Sequence, residues 1–448
     1  MVADAHGDAA QMAELYGALY LQTGDLKHLL SASEQAEIAG GWRPSLEWAL
    51  RFLAASPLQA SPVQRLYTVL ENSAQPQLMQ EVAEVLLGRN LHLHMCQVFL
   101  AHAALLHGEP DRCLARLRSL DDARLLADPT LTTFLGPVRA LRAAAQEKLG
   151  HYRQAYDAYR ALQQGEKAKD VDPEDFVRGI RIRAKLNVPA LPKDEFPVVT
   201  QMLGFPRSGT TLLENVLAAH PSIETFEEIP ALNTTVARIE RVLQGKTPPE
   251  PVETTFTAAR ARYFEEMDFY RRKPEATVLV DKMPIRSADA AFISKLFPDW
   301  RYIFSIRHPY DVVLSCFKQR FTPNPAMENF RSIESSIRLY DIAMTEWFQH
   351  HTMDDPTVHY VRYDELVTNF EPITRGVLEF LDVPWDDAVR DFSKGAENRA
   401  AKTPSYQKVR QGLSIGVQTQ WENYRFVFQS EAAKPLKKWA DFFGYSVA

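Results

Sequence analysis

Val198 to Pro221 reads VVTQMLGFPRSGTTLLENVLAAHP. A short apolar run ends at Gly204, and Gly209 closes a loop of four intervening residues. The spacing matches the phosphate-loop pattern G-x-x-x-x-G-K-[ST] except at one place. Where that pattern has lysine, this chain has Thr210, followed by Thr211. A strand, a glycine loop and a helix, in that order, form an anion site because loop N–H groups and the helix N-terminus converge on the bound group. Thr210 and Thr211 add hydroxyl donors, and Arg207 adds a fork of N–H groups. The missing lysine is the charge that bridges the outer phosphates of a nucleoside triphosphate. The expected ligand is therefore an anion with less charge near the loop. It is expected to be handled without metal, because Lys282 beside Asp281 in VDKMP would repel a cation.

The surroundings of the loop set its context. FPVVTQMLGF, ATVLVDKMP, RYIFSIRHP and VHYVRYDEL are short apolar runs separated by helical patterns. Such alternation predicts a parallel sheet with helices on both faces. Upstream the pattern differs. Residues 1–190 carry apolar residues at spacings of three and four, the period of helices. In VRALRAAAQEKLGHYRQAYDAYRALQQ, Leu141, Ala145 and Leu149 mark one helix face. Gly150 closes that helix, and Tyr152, Ala155, Tyr156 and Tyr159 face inward on the next. The same helix–glycine–helix unit recurs around Gly24 and Gly108. It resembles tetratricopeptide-type repeats, in degenerate form. The three prolines of NVPALPKDEFP, residues 187–197, separate the two parts. The expected domains are thus a helical one over 1–190 and an α/β one over 195–448.

Composition narrows the function classes. A chain of 448 residues is too long for one ordinary domain. A net charge of −6 argues against nucleic-acid binding. No apolar run is long enough to span a membrane. Three scattered cysteines, Cys96, Cys113 and Cys316, fit a reducing compartment. The acidic start MVADAHGDAAQMAEL lacks the apolar segment of a secretory leader, so a cytoplasmic location is expected.

A second anion element follows the third apolar run of the α/β part. In SIRHPYDVVLSCFKQRF, Arg307 follows the strand and Pro309 begins a helix, which puts Ser315 nearly two turns along it. Arg307 supplies a bidentate charge and Ser315 a hydroxyl. His308 is read as a structural residue of the turn at Pro309. Together, GFPRSGTTL and R-H-P…S resemble the two nucleotide-gripping elements of the sulfotransferases that use 3′-phosphoadenosine 5′-phosphosulfate (PAPS). The resemblance implies that Pro206, Arg207, Ser208, Gly209, Thr210 and Thr211 hold the 5′-phosphosulfate. It implies that Arg307 and Ser315 hold the 3′-phosphate, with PAP as product and no metal.

Further positions carry the resemblance on. Many small-molecule sulfotransferases place a histidine base after the loop helix, whereas HPSIETFEEIPALNTT offers Glu227 and Glu228. This resembles the tyrosylprotein sulfotransferases, whose base is a glutamate, and the spacing from Arg207 implies Glu228, with Glu227 as the alternative. An ordinary glutamate is ionised at neutral pH and can accept a proton. Lys282 matches a lysine that stabilises the leaving group in those enzymes. TPSYQKVRQGLSIGVQTQWENY resembles their closing segment, with Ser405 near the transferring sulfonate and Arg410 toward the 3′-phosphate. It departs from their pattern at Lys408, Gly412 and Gln420, where they have Gln, Pro and Arg. Tyr363 matches a tyrosine lining the adenine pocket, though its setting in VRYDELV equally suits a core position.

The expectation is an α/β P-loop-type sulfotransferase domain preceded by a tetratricopeptide-like helical domain, as in bacterial repeat-containing sulfotransferases. Its acceptor would be a hydroxyl: peptide tyrosine, a small phenol or another compound. The helical domain would bind the acceptor, a protein partner or a second copy. Two other readings stay open at this point: a non-catalytic nucleotide-binding scaffold and a nucleoside-phosphate kinase.

Overall fold

A computed structural model describes residues 5–39, 41–164, 171–185, 196–243, 252–322, 324–392 and 419–447. The chain forms two compact units, one built on residues up to 168 and one from 169 onward.

The first unit is a run of helices: α1 (Ala5–Thr23), α2 (Lys27–Ile38), α3 (Trp42–Ala55), α4 (Ala60–Ser73), α5 (Pro76–Gly88), α6 (Leu93–Leu106), α7 (Pro110–Leu117), α8 (Asp122–Ala127), α9 (Leu135–Lys148) and α10 (Tyr152–Gln163). Gly24, Gly108 and Gly150 each take positive φ directly after a helix, as their place in the sequence predicts. Ala74, Asn90 and His92 make similar turns without glycine, which hides those turns from a reading by residue type. A core of Leu66, Tyr67, Met79, Phe99, Phe134 and Val138 runs along α4 to α9. Arg65 binds its helix to two earlier ones, reaching the Ser33 hydroxyl at 2.8 Å, the Ser45 hydroxyl at 2.9 Å and Glu37 at 2.7 Å.

The second unit opens with α11 (Pro173–Ala184), grouped with the first domain in the sequence reading. Here it packs with the α/β part, where Arg183 pairs with Glu240 at 2.6 Å and Asp289 at 3.0 Å. A five-stranded sheet follows, made of β1 (Val199–Gly204), β2 (Ile223–Glu227), β3 (Val278–Lys282), β4 (Arg301–Ile306) and β5 (Val358–Arg362). All neighbours are parallel, in the order β2-β3-β1-β4-β5. The helices α12 (Thr210–Ala219), α13 (Ala231–Leu243), α14 (Val252–Tyr270), α15 (Ala290–Leu296), α16 (Pro309–Phe317), α17 (Ile333–Phe348), α18 (Tyr363–Thr368), α19 (Phe370–Phe380) and Lys434–Phe442 cover it.

The central strand β1 is buried at every residue, as expected with cover on both faces. Val199 and Leu279 enter one core, with Tyr263, Phe292 and Trp300. Met202, Val280 and Ile303 enter the opposite core, with Leu213 and Val216 of α12. Four of the five strands follow from the apolar runs. The fifth, β2, is IETFE, whose polar residues do not form such a run.

Candidate active site

Every strand of a parallel sheet ends on the same edge, so the loops after β1, β2, β3, β4 and β5 gather at one rim. The residues singled out in the sequence stand at these ends: Gly204 on β1, Glu227 and Glu228 on β2, Lys282 on β3, Arg307 after β4 and Tyr363 after β5. Adjacent strands lie about 5 Å apart, which brings these side chains within reach of one ligand.

The glycine loop starts α12. Ser208 N–H donates to the Phe205 carbonyl at 3.1 Å, and Gly209 sits at the helix N-cap with φ 96°. A β-carbon at Gly209 would lie 2.4 Å from Tyr363 Cδ2, so the tyrosine ring rests on the loop backbone. Arg207 also has positive φ, 74°. Its Nε donates to Ser315 Oγ at 3.1 Å, and Arg307 Nη1 donates to the Arg207 carbonyl at 3.2 Å. The Arg307 guanidinium lies over the Tyr363 ring at 4.7 Å. The two elements thus meet through direct contacts. Burial pulls the Arg207 guanidinium down to about 10, and Arg307 beside it acts in the same direction. Among the described residues, buried Arg307 Nε has no hydrogen-bond partner. Two arginines held this close favour an anion between them.

Lys282 forms the other half. Strand alternation turns its side chain to the α12 face and that of Asp281 to the opposite face. Asp281 accepts from Arg286 at 2.9 Å and Tyr263 at 3.0 Å, which neutralises it within the core. The fully buried Lys282 donates to Glu228 at 3.0 Å and Glu227 at 3.2 Å. Burial opposes its charge, but Glu227, Glu228 and Glu214 outweigh burial and hold its pKa above the usual lysine value. Glu227 is 11% exposed and Glu228 40%, so Glu228 is the carboxylate that incoming molecules can reach. Glu228 follows β2 with φ 51°, its N–H donating to the Lys282 carbonyl at 2.9 Å. A left-handed non-glycine residue carries strain that its surroundings must hold, and such residues gather at functional sites.

Glu214 was absent from the sequence reading. It lies buried on α12 and accepts from Thr225 at 2.8 Å. A charged residue among the apolar positions of LLENVL was the available signal. Thr210, Thr211 and Ser208 are buried at the loop, and Pro206 accepts from Cys316 at 3.3 Å. His308 stacks on Trp421 and bonds the Ser446 carbonyl at 3.1 Å. Ser405 and Arg410 lie outside the described residues, as do Lys408 and Gly412. Of that segment the described part begins at Thr419. The Trp421 N–H donates to Asp311 at 2.9 Å, and Lys318 donates to Gln420 at 3.0 Å. Among the described residues no group of His, Cys, Asp and Glu is placed to hold a metal, and no helix is long and apolar enough to cross a membrane.

Fold and rim together define an α/β protein of the phosphate-loop type, with an anion loop beside a buried lysine–carboxylate cluster. Residues 200–387 match the model of the sulfotransferase family. An uncharacterized protein of Aquifex aeolicus (strain VF5) is 29% identical over 236 residues, 50% of this chain and 30% of its own length. Protein-tyrosine sulfotransferase 1 of Danio rerio is 25% identical over 216 residues, 47% of this chain and 60% of its own length. The chain therefore spans less than two thirds of either relative. Among solved structures, the sulfotransferase domain of the Synechococcus PCC 7002 olefin synthase is 19% identical, with a TM-score of 0.38. It covers 58% of this chain and 99% of its own. The match to the sulfotransferase family thus lies within the second unit of this chain.

Proposed function

We propose that the second unit transfers the sulfuryl group of PAPS directly to an acceptor hydroxyl, releasing PAP. The observation that carries this reading is the meeting of the two anion elements, Arg207 on Ser315 and Arg307 on the Arg207 backbone. A ligand with one anionic group at the glycine loop and another at Arg307 and Ser315 suits them, and PAPS has its charges so divided. The loop residues Pro206 to Thr211 would hold the 5′-phosphosulfate, Arg307 and Ser315 the 3′-phosphate, and Tyr363 the adenine. Ser405 and Arg410 remain assigned by resemblance, to the sulfonate and the 3′-phosphate.

In the reaction the acceptor oxygen attacks sulfur, and the bond from sulfur to the 5′-phosphate oxygen breaks. The acceptor proton goes to Glu228. Lys282 and Arg207 donate to the departing oxygen and offset its growing charge. Glu227 and Glu228 keep Lys282 protonated before the acceptor arrives, the state that its role requires. The similarity to protein-tyrosine sulfotransferases and the glutamate base favour a phenolic hydroxyl, in the first instance tyrosine in a peptide. The helical unit, read as tetratricopeptide-like, is the proposed place for that peptide or for a partner chain. Free, buried Cys96, Cys113 and Cys316 support a cytoplasmic location.

Calorimetric titration without magnesium tests the nucleotide. PAP should bind at least tenfold more tightly than ADP, and equal affinity would remove the reading. Glu228→Gln should keep PAP affinity and lose about 10²–10⁴-fold in turnover with PAPS and tyrosyl peptides or phenols. Undiminished turnover in that variant would take the base role from Glu228.

A further inference from the structure

The face of the sheet opposite Lys282 carries a buried polar cluster. Gln201 of β1 and Asp281 of β3 are register partners, and Met202 and Lys282 are the next pair along. Asp281 is fully buried and accepts three bonds on one oxygen. They come from Arg286 Nη1 at 2.9 Å, the Tyr263 hydroxyl at 3.0 Å and Gln201 Nε2 at 3.2 Å. Arg286 stands on the turn Pro284–Asp289 after β3, and its Nη1 also donates to Gln201 Oε1 at 3.2 Å. Two further bonds fasten the chain after β3 to β1. The Met283 N–H donates to the Met202 carbonyl at 3.2 Å, and the Ser287 hydroxyl donates to the Gly204 carbonyl at 2.9 Å. Lys282 ends β3 and Gly204 ends β1 at the glycine loop, so one buried clamp joins the two. Stability does not account for the charges in it. A buried ion pair loses the hydration of both groups, and apolar side chains of similar size in its place are often as stable or more so. Here the loss is larger, because among the described residues Asp281 Oδ1 and Arg286 Nη2 are buried without a hydrogen-bond partner. What the pair supplies is direction: Arg286 bonds Asp281 and Gln201 at once, which fixes the end of one strand against the other.

We infer that the Asp281–Arg286 pair is a positioning device for sulfuryl transfer. From the far face of the sheet it holds the end of β3 against β1, and so keeps the Lys282 amino group at a fixed distance from the glycine loop. The inference rests on the proposed PAPS reading. The pair is buried on the face away from the carboxylates and acts on the reaction only through Lys282. The loop and Arg307 bind the nucleotide whether or not Lys282 is exactly aimed. Donation to the departing oxygen is more demanding, since a displacement of about 1 Å at a reacting centre lowers rates by as much as a hundredfold. Loosening the clamp therefore lowers turnover and leaves nucleotide affinity in place.

The test reads PAP formed from PAPS by the full chain, with nitrophenol, a tyrosyl peptide or water as acceptor, because Lys282 acts on the leaving oxygen whichever acceptor attacks. PAP affinity is measured alongside by calorimetric titration. Asp281→Leu with Arg286→Met removes both charges at similar volume. This double variant should melt no lower than the wild type, bind PAP within about threefold of it and keep its KM for PAPS, while kcat falls about tenfold or more. In a Lys282→Met background the same two substitutions should change kcat by less than about twofold, because the group they position is gone. A wild type that binds no PAP, or forms none from PAPS, would overturn the proposed function and this inference together. A wild type that does both, with a double variant of undiminished kcat, would overturn the inference alone. A fall in PAP affinity in step with kcat would make the pair a support of the loop, and would overturn it too, as would a further tenfold loss in the Lys282→Met background. Should the double variant melt well below the wild type, Tyr263→Phe decides, since it removes one donor to Asp281 and keeps the ring. Its kcat should fall about threefold or more at unchanged PAP affinity, and full kcat would overturn the inference.

Discussion

At the scale of single residues, the site depends on backbone conformations that most side chains resist. Arg207, Gly209 and Glu228 all have positive φ, and each stands where a chain reversal aims a group at the rim. Gly209 is the most constrained, since any β-carbon there meets Tyr363. Gly209→Ala should lower stability by about 1–2 kcal/mol and weaken PAP binding at least tenfold, read by denaturant melts and titration. Full affinity in this variant would separate the Tyr363 contact from nucleotide binding. The choice between Glu227 and Glu228 also belongs to this scale. Residue type cannot make it, because both are glutamates bonded to Lys282, and their exposure separates them.

At the scale of elements, β2 and α11 are where pattern and structure part. In β2, on the sheet edge, only Ile223 on one face and Phe226 on the other are buried apolar residues, with buried Glu224 between them, so no apolar run marks it. The carboxylates at its end were nonetheless legible, because a pair of adjacent glutamates is visible without knowing the strand. The amphipathic pattern of α11 matched the helices before it, and nothing in a helical period says which neighbour a helix packs against. Its ion pairs do. Arg183 is mostly buried; burial opposes its charge, but Asp289 and Glu240 outweigh burial and raise its pKa. Arg183→Ala leaves two carboxylates without their partner and should lower stability by about 3 kcal/mol, seen as a lower melting temperature of the second unit. A melting temperature within a degree of the wild type would mean that α11 is not held by this arginine.

At the scale of the whole molecule, the pH dependence of stability follows from groups far apart in the chain. His308, packed against Trp421 and Tyr445, and His359, beside Phe380, have pKa values lowered by burial. In the unfolded chain both return to about 6.5. The unfolded state then binds more protons below that pH, so the stability from keeping these rings neutral is complete above about pH 6.5. It is lost as pH falls through the lower folded values. Denaturant midpoints should be level from pH 7 to 8 and fall between pH 6.5 and 5. Replacing His359 with Gln should remove part of that slope, and an unchanged slope would assign it to carboxylates instead.

Much of this protein was determined by sequence alone, because local chemistry suffices for it. Glycine position, strand–loop–helix order and apolar alternation identified the anion loop, four of the five strands and the parallel sheet, each a property of neighbouring residues. The placement of Arg307 and Ser315 was legible for the same reason, as one strand end and one helix turn. The tertiary structure decided what depends on distance across the fold. It set the order of the strands, which places β3 rather than β2 beside β1 and so puts Lys282 next to the loop. It turned Asp281 into the core and Lys282 toward the carboxylates, joined Arg207 to Ser315 more than a hundred residues away, and brought Lys318 to Gln420. Contacts between distant segments arise only when packing closes the chain, and no spacing along the sequence records them.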